Sequence, residues 1–109
     1  MNKCFDTAFP VREDATRCNY EIDDDFYNEL EALSKYYQAT VTDLVNICIE
    51  QLLKTENIVI YKKENELLVK HTLFIRRSNT AGLSRLSAST GVSIYRLVNI
   101  AIRNALKDL

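Results

Sequence analysis

The sequence predicts a mainly α fold with short β-strands, built from two strand–helix–helix repeats in one domain. Three observations carry that expectation. The stretch 18–53 aligns without a gap on 71–106, an offset of 53 positions, and ten of the 36 aligned positions are identical. The second helix of each copy is apolar over more than one face, so each copy needs the other as cover. Two Gly and one Pro in 109 residues are too few for a many-turned all-β chain.

The identities are mostly apolar: Ile22/Ile75, Leu30/Leu83, Leu33/Leu86, Leu44/Leu97, Val45/Val98, Ile47/Ile100, Ile49/Ile102 and Leu53/Leu106, with Ser34/Ser87 and Asn46/Asn99 the polar exceptions. The mismatches are mostly polar. One packing scheme carried twice under two different surfaces produces that pattern.

The elements follow in order. Residues 1–16 show no period and read as an extended arm, 17–54 as the first repeat, 55–69 as a linker and 70–109 as the second repeat. The strands fall at 17–22 and 70–75, where polar and apolar residues roughly alternate. Cys18, Tyr20 and Ile22 share one face with His71, Leu73 and Ile75; Arg17, Asn19 and Glu21 share the other with Lys70, Thr72 and Phe74. Phe26, Leu30 and Leu33 mark the first helix, matched by Leu83 and Leu86, with N-caps expected within 23–25 and 78–79. Gly91 fits a left-handed helix end, where the first copy has Gln38. The second helices start at Thr40 and Ser93, and Thr40 with Asp43 makes a capping-box signal. In the linker, two apolar runs flank a polar turn at 62–65, which fits either a small hairpin or a partly helical connector.

Composition narrows the function classes. A 47% hydrophobic, 27% charged chain is too apolar for disorder. No apolar run approaches the roughly 18 residues of a membrane span, and early charges interrupt any signal peptide, so a cytoplasmic location is expected. Cys4, Cys18 and Cys48 are odd in number and widely spaced, which suggests neither a disulfide framework nor a zinc site; Cys48 reads as a core residue. With one His, no metal or other cofactor is expected. No Gly-rich phosphate loop, carboxylate pair or nucleophile–base pair stands out, so no enzyme is expected. The net charge of −1 hides an asymmetry: residues 1–54 hold five Lys or Arg against eleven Asp or Glu, and residues 55–109 hold nine against four. A locally basic half matters more for phosphate binding than the total.

Ile75-Arg76-Arg77-Ser78, then Leu83, Leu86, Thr90-Gly91, Ser93, Leu97-Val98, Ala101 and Ile102, resembles the ribbon-helix-helix DNA-binding family of the Arc, MetJ and CopG type. The resemblance spans both copies, and two copies in one chain look like the tandem arrangement of TraY-type conjugation proteins. It implies a tandem pseudo-dimer in which one antiparallel two-stranded ribbon lies over four interlocked helices. It also implies binding to the major groove of double-stranded DNA, with Arg17, Asn19, Glu21, Lys70, Thr72 and Phe74 facing the bases. The helix starts Thr40-Val41 and Ser93-Ile94 would then face phosphates. Arg76 and Arg77 are either phosphate contacts or solvated helix-start residues. Glu21, Phe74 and the run Asp23, Asp24, Asp25 depart from the family pattern. A transcriptional repressor and a plasmid or conjugation accessory protein are both implied roles. An asymmetric site and self-association of pseudo-dimers along DNA are expected. The alternative is an antitoxin-like interaction module that uses the N-terminal arm to hold a protein partner.

Among the remaining polar residues, Arg85, Arg96 and Arg103 read as a solvated face. His71 reads as a hydrogen-bonded core or edge residue. Asn46 and Asn99 are either paired within the core or solvent-facing, and the reading leans to solvent.

Overall fold

The structure is a computed structural model that describes residues 14–107. β1 (Ala15–Asp23) leads into α1 (Asp24–Tyr37) and α2 (Val41–Thr55); β2 (Leu68–Arg76) leads into α3 (Arg77–Thr90) and α4 (Ile94–Leu106). Both strands and both first helices keep the 53-residue offset of the sequence repeat at each boundary.

β1 and β2 pair antiparallel over nine positions, from Ala15 opposite Arg76 to Asp23 opposite Leu68. Asn19 lies opposite Thr72, which is also its counterpart in the repeat. The repeat's approximate twofold axis therefore passes through that pair. The alternation places Ile22, Leu73 and Ile75 in the core and leaves the other face open.

The helices of the first copy have local causes, and α3 has a local end. The Asp23 carboxylate accepts the Asp25 N–H at 2.9 Å, and Asp24 and Asp25 complement the N-terminal dipole of α1. Leu30 and Leu33 bury its inner face, and it ends where Gln38 turns left-handed at φ 53°. α2 starts in a full capping box: the Thr40 hydroxyl accepts the Asp43 N–H at 3.1 Å, and the Asp43 carboxylate accepts the Thr40 N–H at 3.4 Å. Its apolar width is used: Leu44, Val45, Ile47, Cys48, Ile49 and Leu52 are all buried. α3 ends at Gly91, whose φ of 77° costs little without a Cβ.

α2 and α4 form the main helix–helix contact, and α1 and α3 each pack against both of them. α4 lies against β1 and α2 against β2, so each second helix supports the other copy's strand. Burying one Leu or Ile is worth about 1.5–3 kcal/mol, and most of these residues belong to a single cluster shared by both copies.

The expected fold class needs correction. What is present is one two-stranded antiparallel sheet and four helices in the order β-α-α-β-α-α. That order is compatible with two tandem β-α-α repeats, and it does not single out the ribbon-helix-helix class. The ribbon is not short: apolar Leu68 and Val69, expected in the linker, extend the ladder, and Ala15 and Thr16, expected in the arm, pair with Arg76 and Ile75. Among the four helices, α2 and α4 hold the centre and α1 and α3 flank them. Residues 56–67 contain neither a hairpin nor a helix, only a turn at Glu64 and Asn65. The N-cap of α3 is Arg76, with no side-chain cap, while Ser78 and Asn79 lie inside the helix. Residues 1–13 of the expected arm, with Cys4, lie outside the described residues. No helix among the described residues is long and apolar enough to cross a membrane.

Candidate nucleic-acid interface

The outer face of the ribbon carries Arg17, Asn19, Glu21, Lys70, Thr72 and Phe74, and all six are exposed. The register sorts them into three rows: Arg17 opposite Phe74, Asn19 opposite Thr72, and Glu21 opposite Lys70. The middle row is joined directly, for the Thr72 hydroxyl donates to Asn19 Oδ1 at 2.7 Å. The Glu21–Lys70 row opposes a negative to a positive group, while the Arg17–Phe74 row sets a cation beside an apolar ring that is 55% exposed. The face thus offers donors, acceptors and an apolar surface in an order that differs between its two ends.

The two helix starts expected to meet phosphate are unlike each other. At Thr40-Val41 the Asp43 carboxylate already lies against the N-terminus of α2, where it offsets the dipole and opposes a second anion. At Ser93-Ile94 there is no side-chain cap and no acid in the first turn. The basic residues of α4 and its surroundings are partly committed, however. Arg96 bonds Glu66 at 3.1 Å, and those hydrogen bonds push its pKa above the ordinary value. It also lies over the rings of Tyr61 and Tyr95, and Arg103 lies 4.8 Å from the Tyr61 ring centroid. These two arginines are thus packing and pairing residues, not the solvated face expected of them.

Arg76 and Arg77 separate in the same way. Arg76 is only 8% exposed and pairs with Glu50 at 3.0 Å, so its guanidinium is occupied. Arg77 is exposed at the start of α3, where its backbone N–H donates to Asp14 O at 3.0 Å. At the other end of the ribbon, Asp23 is buried and takes Lys63 Nζ at 2.8 and 2.9 Å, while Asp25 takes the same ammonium at 2.8 Å. Those bonds raise the Lys63 pKa above its ordinary value. The linker is therefore a strap: Lys63 ties it to the start of α1 and Glu66 ties it to the start of α4.

Sequence reasoning missed the polar pair that holds the ribbon to the helices. Asn46 and Asn99 are 3% and 0% exposed, so the lean to solvent is corrected. Asn99 Oδ1 accepts the Asp23 N–H at 2.9 Å, and its Nδ2 donates to Glu21 O and Tyr95 O, both at 2.8 Å. Asn46 does the same for β2: Oδ1 accepts the Arg76 N–H at 2.9 Å, and Nδ2 donates to Phe74 O at 3.0 Å and Thr42 O at 3.1 Å. Each carboxamide satisfies the end of the other copy's strand, where the ladder stops and backbone groups would otherwise be stranded. The sequence held one signal: Asn46/Asn99 and Ser34/Ser87 are the polar identities in the repeat.

His71 stacks on Tyr27, with ring centroids 3.6 Å apart and planes 2° from parallel. Its buried Nε2 has no hydrogen-bond partner among the described residues, in contrast to the hydrogen-bonded reading. Among the described residues no cluster of three His, Cys, Asp or Glu is placed to hold a metal ion.

Comparison with known proteins adds no identification: no family model, no curated protein and no solved structure matches this chain.

Proposed function

We propose that this chain binds double-stranded DNA sequence-specifically by laying the outer face of its ribbon in the major groove. One observation carries the reading: six exposed side chains of varied chemistry stand in three facing rows on a free two-stranded sheet. The major groove, about 12 Å wide, admits such a ribbon, and its base edges differ in donors, acceptors and methyl groups. Arg17 and Lys70 suit guanine, Asn19 and Thr72 suit purine or thymine edges, Glu21 suits the cytosine amine, and Phe74 suits a thymine methyl. The rows at the two ends differ in charge, which favours an asymmetric site over a palindrome. Phosphate contacts fall to Arg77 and to the uncapped helix start at Ser93-Ile94. A role as a transcriptional repressor, or as a plasmid or conjugation accessory protein, rests on the sequence resemblance alone.

The test is enrichment of duplexes from a random pool, followed by binding at increasing salt. A motif with steep salt dependence supports the reading, and no enrichment at low salt refutes it.

A second reading has its own observations. Asp43 covers one helix start, and Glu50 and Glu66 hold two arginines, so these two of the nine cations of the basic half are neutralised internally. An exposed Phe74 on a sheet face also suits a protein partner. Binding that is insensitive to salt and specific to a polypeptide would favour an interaction module.

A further inference from the structure

The centre of the ribbon is a coupled pair. Thr72 and Asn19 face each other on the repeat's approximate twofold axis, both are exposed, and the hydroxyl donates to the carboxamide oxygen at 2.7 Å. A free Asn presents both an acceptor and a donor, and that combination matches adenine, whose N6 donates and whose N7 accepts. Here the oxygen is turned across the ribbon to Thr72. Among the described residues nothing engages the Nδ2 amine, which remains as a pair of donors. Thr72, its proton spent on Asn19, keeps its oxygen lone pairs and its methyl.

We infer that Thr72 sets the base preference of Asn19, making it a donor-only reader that selects guanine, with its O6 and N7 acceptors, in place of adenine. Thymine, through O4, is the weaker match; cytosine presents only an amine to the amine, and adenine offers N7 alone, its N6 amine opposing the second donor. The inference rests on the DNA-binding reading of the same face. Thr72 acts here as a positioning residue: it fixes the rotation of the Asn19 amide and contributes to specificity through it. Two chemically identical strands would place the same residue on both sides of the axis. Divergence of the two copies allows one side to orient the other.

The experiment is selection of duplexes from a random pool by the full chain and three variants. Asn19→Ala identifies the position that Asn19 reads, as the one that loses its preference. In the unsubstituted protein that position should be guanine, with thymine the next best. Thr72→Val keeps the branched strand-forming shape but removes the hydroxyl, which frees the Asn19 oxygen. The preference should then move toward adenine by at least about fivefold, the lower end of what a two-bond base contact provides. Thr72→Ser retains the hydroxyl and should keep guanine. Adenine or cytosine at the marked position in the unsubstituted protein, or no movement in Thr72→Val, overturns the inference while leaving DNA binding intact. If Asn19→Ala alters no position, the inference is likewise overturned. If no motif emerges from the unsubstituted chain, the DNA-binding reading itself fails, and the inference falls with it.

Discussion

Asn99 Oδ1 accepts the backbone N–H of Asp23 at 2.9 Å, although the two lie 76 residues apart in the chain. With Asn46 and Arg76 in the same relation at the other end, the two carboxamides fasten each strand to the opposite copy's second helix. Removing one leaves buried backbone groups without partners, at about 1–3 kcal/mol per group. Asn99→Ala should therefore lower unfolding stability by about 2–4 kcal/mol, read from a shifted urea midpoint. Asn46→Ala should behave alike and should also cost Asn79 one of two bonds, since its Nδ2 donates to Asn46 Oδ1 at 3.0 Å and to the Asn46 backbone O at 3.1 Å. A loss below about 0.5 kcal/mol, as for an ordinary surface change, would contradict this account.

The second helices cover each other, so a chain ending at residue 54 should not fold alone. Its α2 would expose Leu44, Ile47, Ile49 and Leu52 with no α4 to meet them. Circular dichroism with sizing chromatography should find it poorly folded or self-associated. A monomeric, cooperatively unfolding fragment would be the contrary result.

Alkaline pH should loosen the strap and the core together. Burial raises the pKa of Tyr20, Tyr27 and Tyr61, and hydrogen bonds to Asp23 and Asp25 raise that of Lys63. In each case the folded state holds its proton more tightly than the unfolded state. The resulting stability is whole below the unfolded values, near pH 10, and is lost as pH rises through the folded ones. The urea midpoint attributable to these groups should hold up to about pH 9 and fall above about pH 10. Lys63→Gln should be less stable below that range, because the buried Asp23 loses its cation, and should show a shallower alkaline decline.

The two adjacent arginines should separate under mutation. Arg77→Ala should weaken DNA binding and flatten the log–log salt slope by about 0.9, with little change in stability. Arg76→Ala should mainly destabilise the fold, because its guanidinium is nearly buried against Glu50. Salt titrations alongside denaturation curves distinguish the two. Equal loss of phosphate contacts from both would contradict the assignment.

How far the sequence could be read depended on the range of the interaction. The 53-residue offset gave the element order and the outward ribbon residues, because apolar periodicity records burial directly and the two copies repeat it. Thr40 and Asp43, three residues apart, form the capping box their spacing suggests. Pairings across long sequence separations were not legible. Nothing in the sequence around Arg76 points to Glu50, and nothing in the linker points Lys63 at Asp23. Those contacts depend on where two elements meet in space. They turned Arg76 and Arg96 from candidate surface cations into paired ones. Strand length was misjudged for a related reason: Leu68 and Val69 break strict alternation, yet Asp23 and Ile22 opposite them continue the ladder.

The central claim is that the outer ribbon face binds duplex DNA at an asymmetric site, and selection from a random duplex pool with salt-dependent affinity of the winner tests it most directly. The account predicts an enriched, non-palindromic motif whose log affinity falls with log salt at about −0.9 per neutralised phosphate, and whose preference is lost when Arg17, Asn19 and Lys70 are replaced by Ala. Failure to enrich any duplex at low salt, or a motif unaffected by those three substitutions, would contradict it.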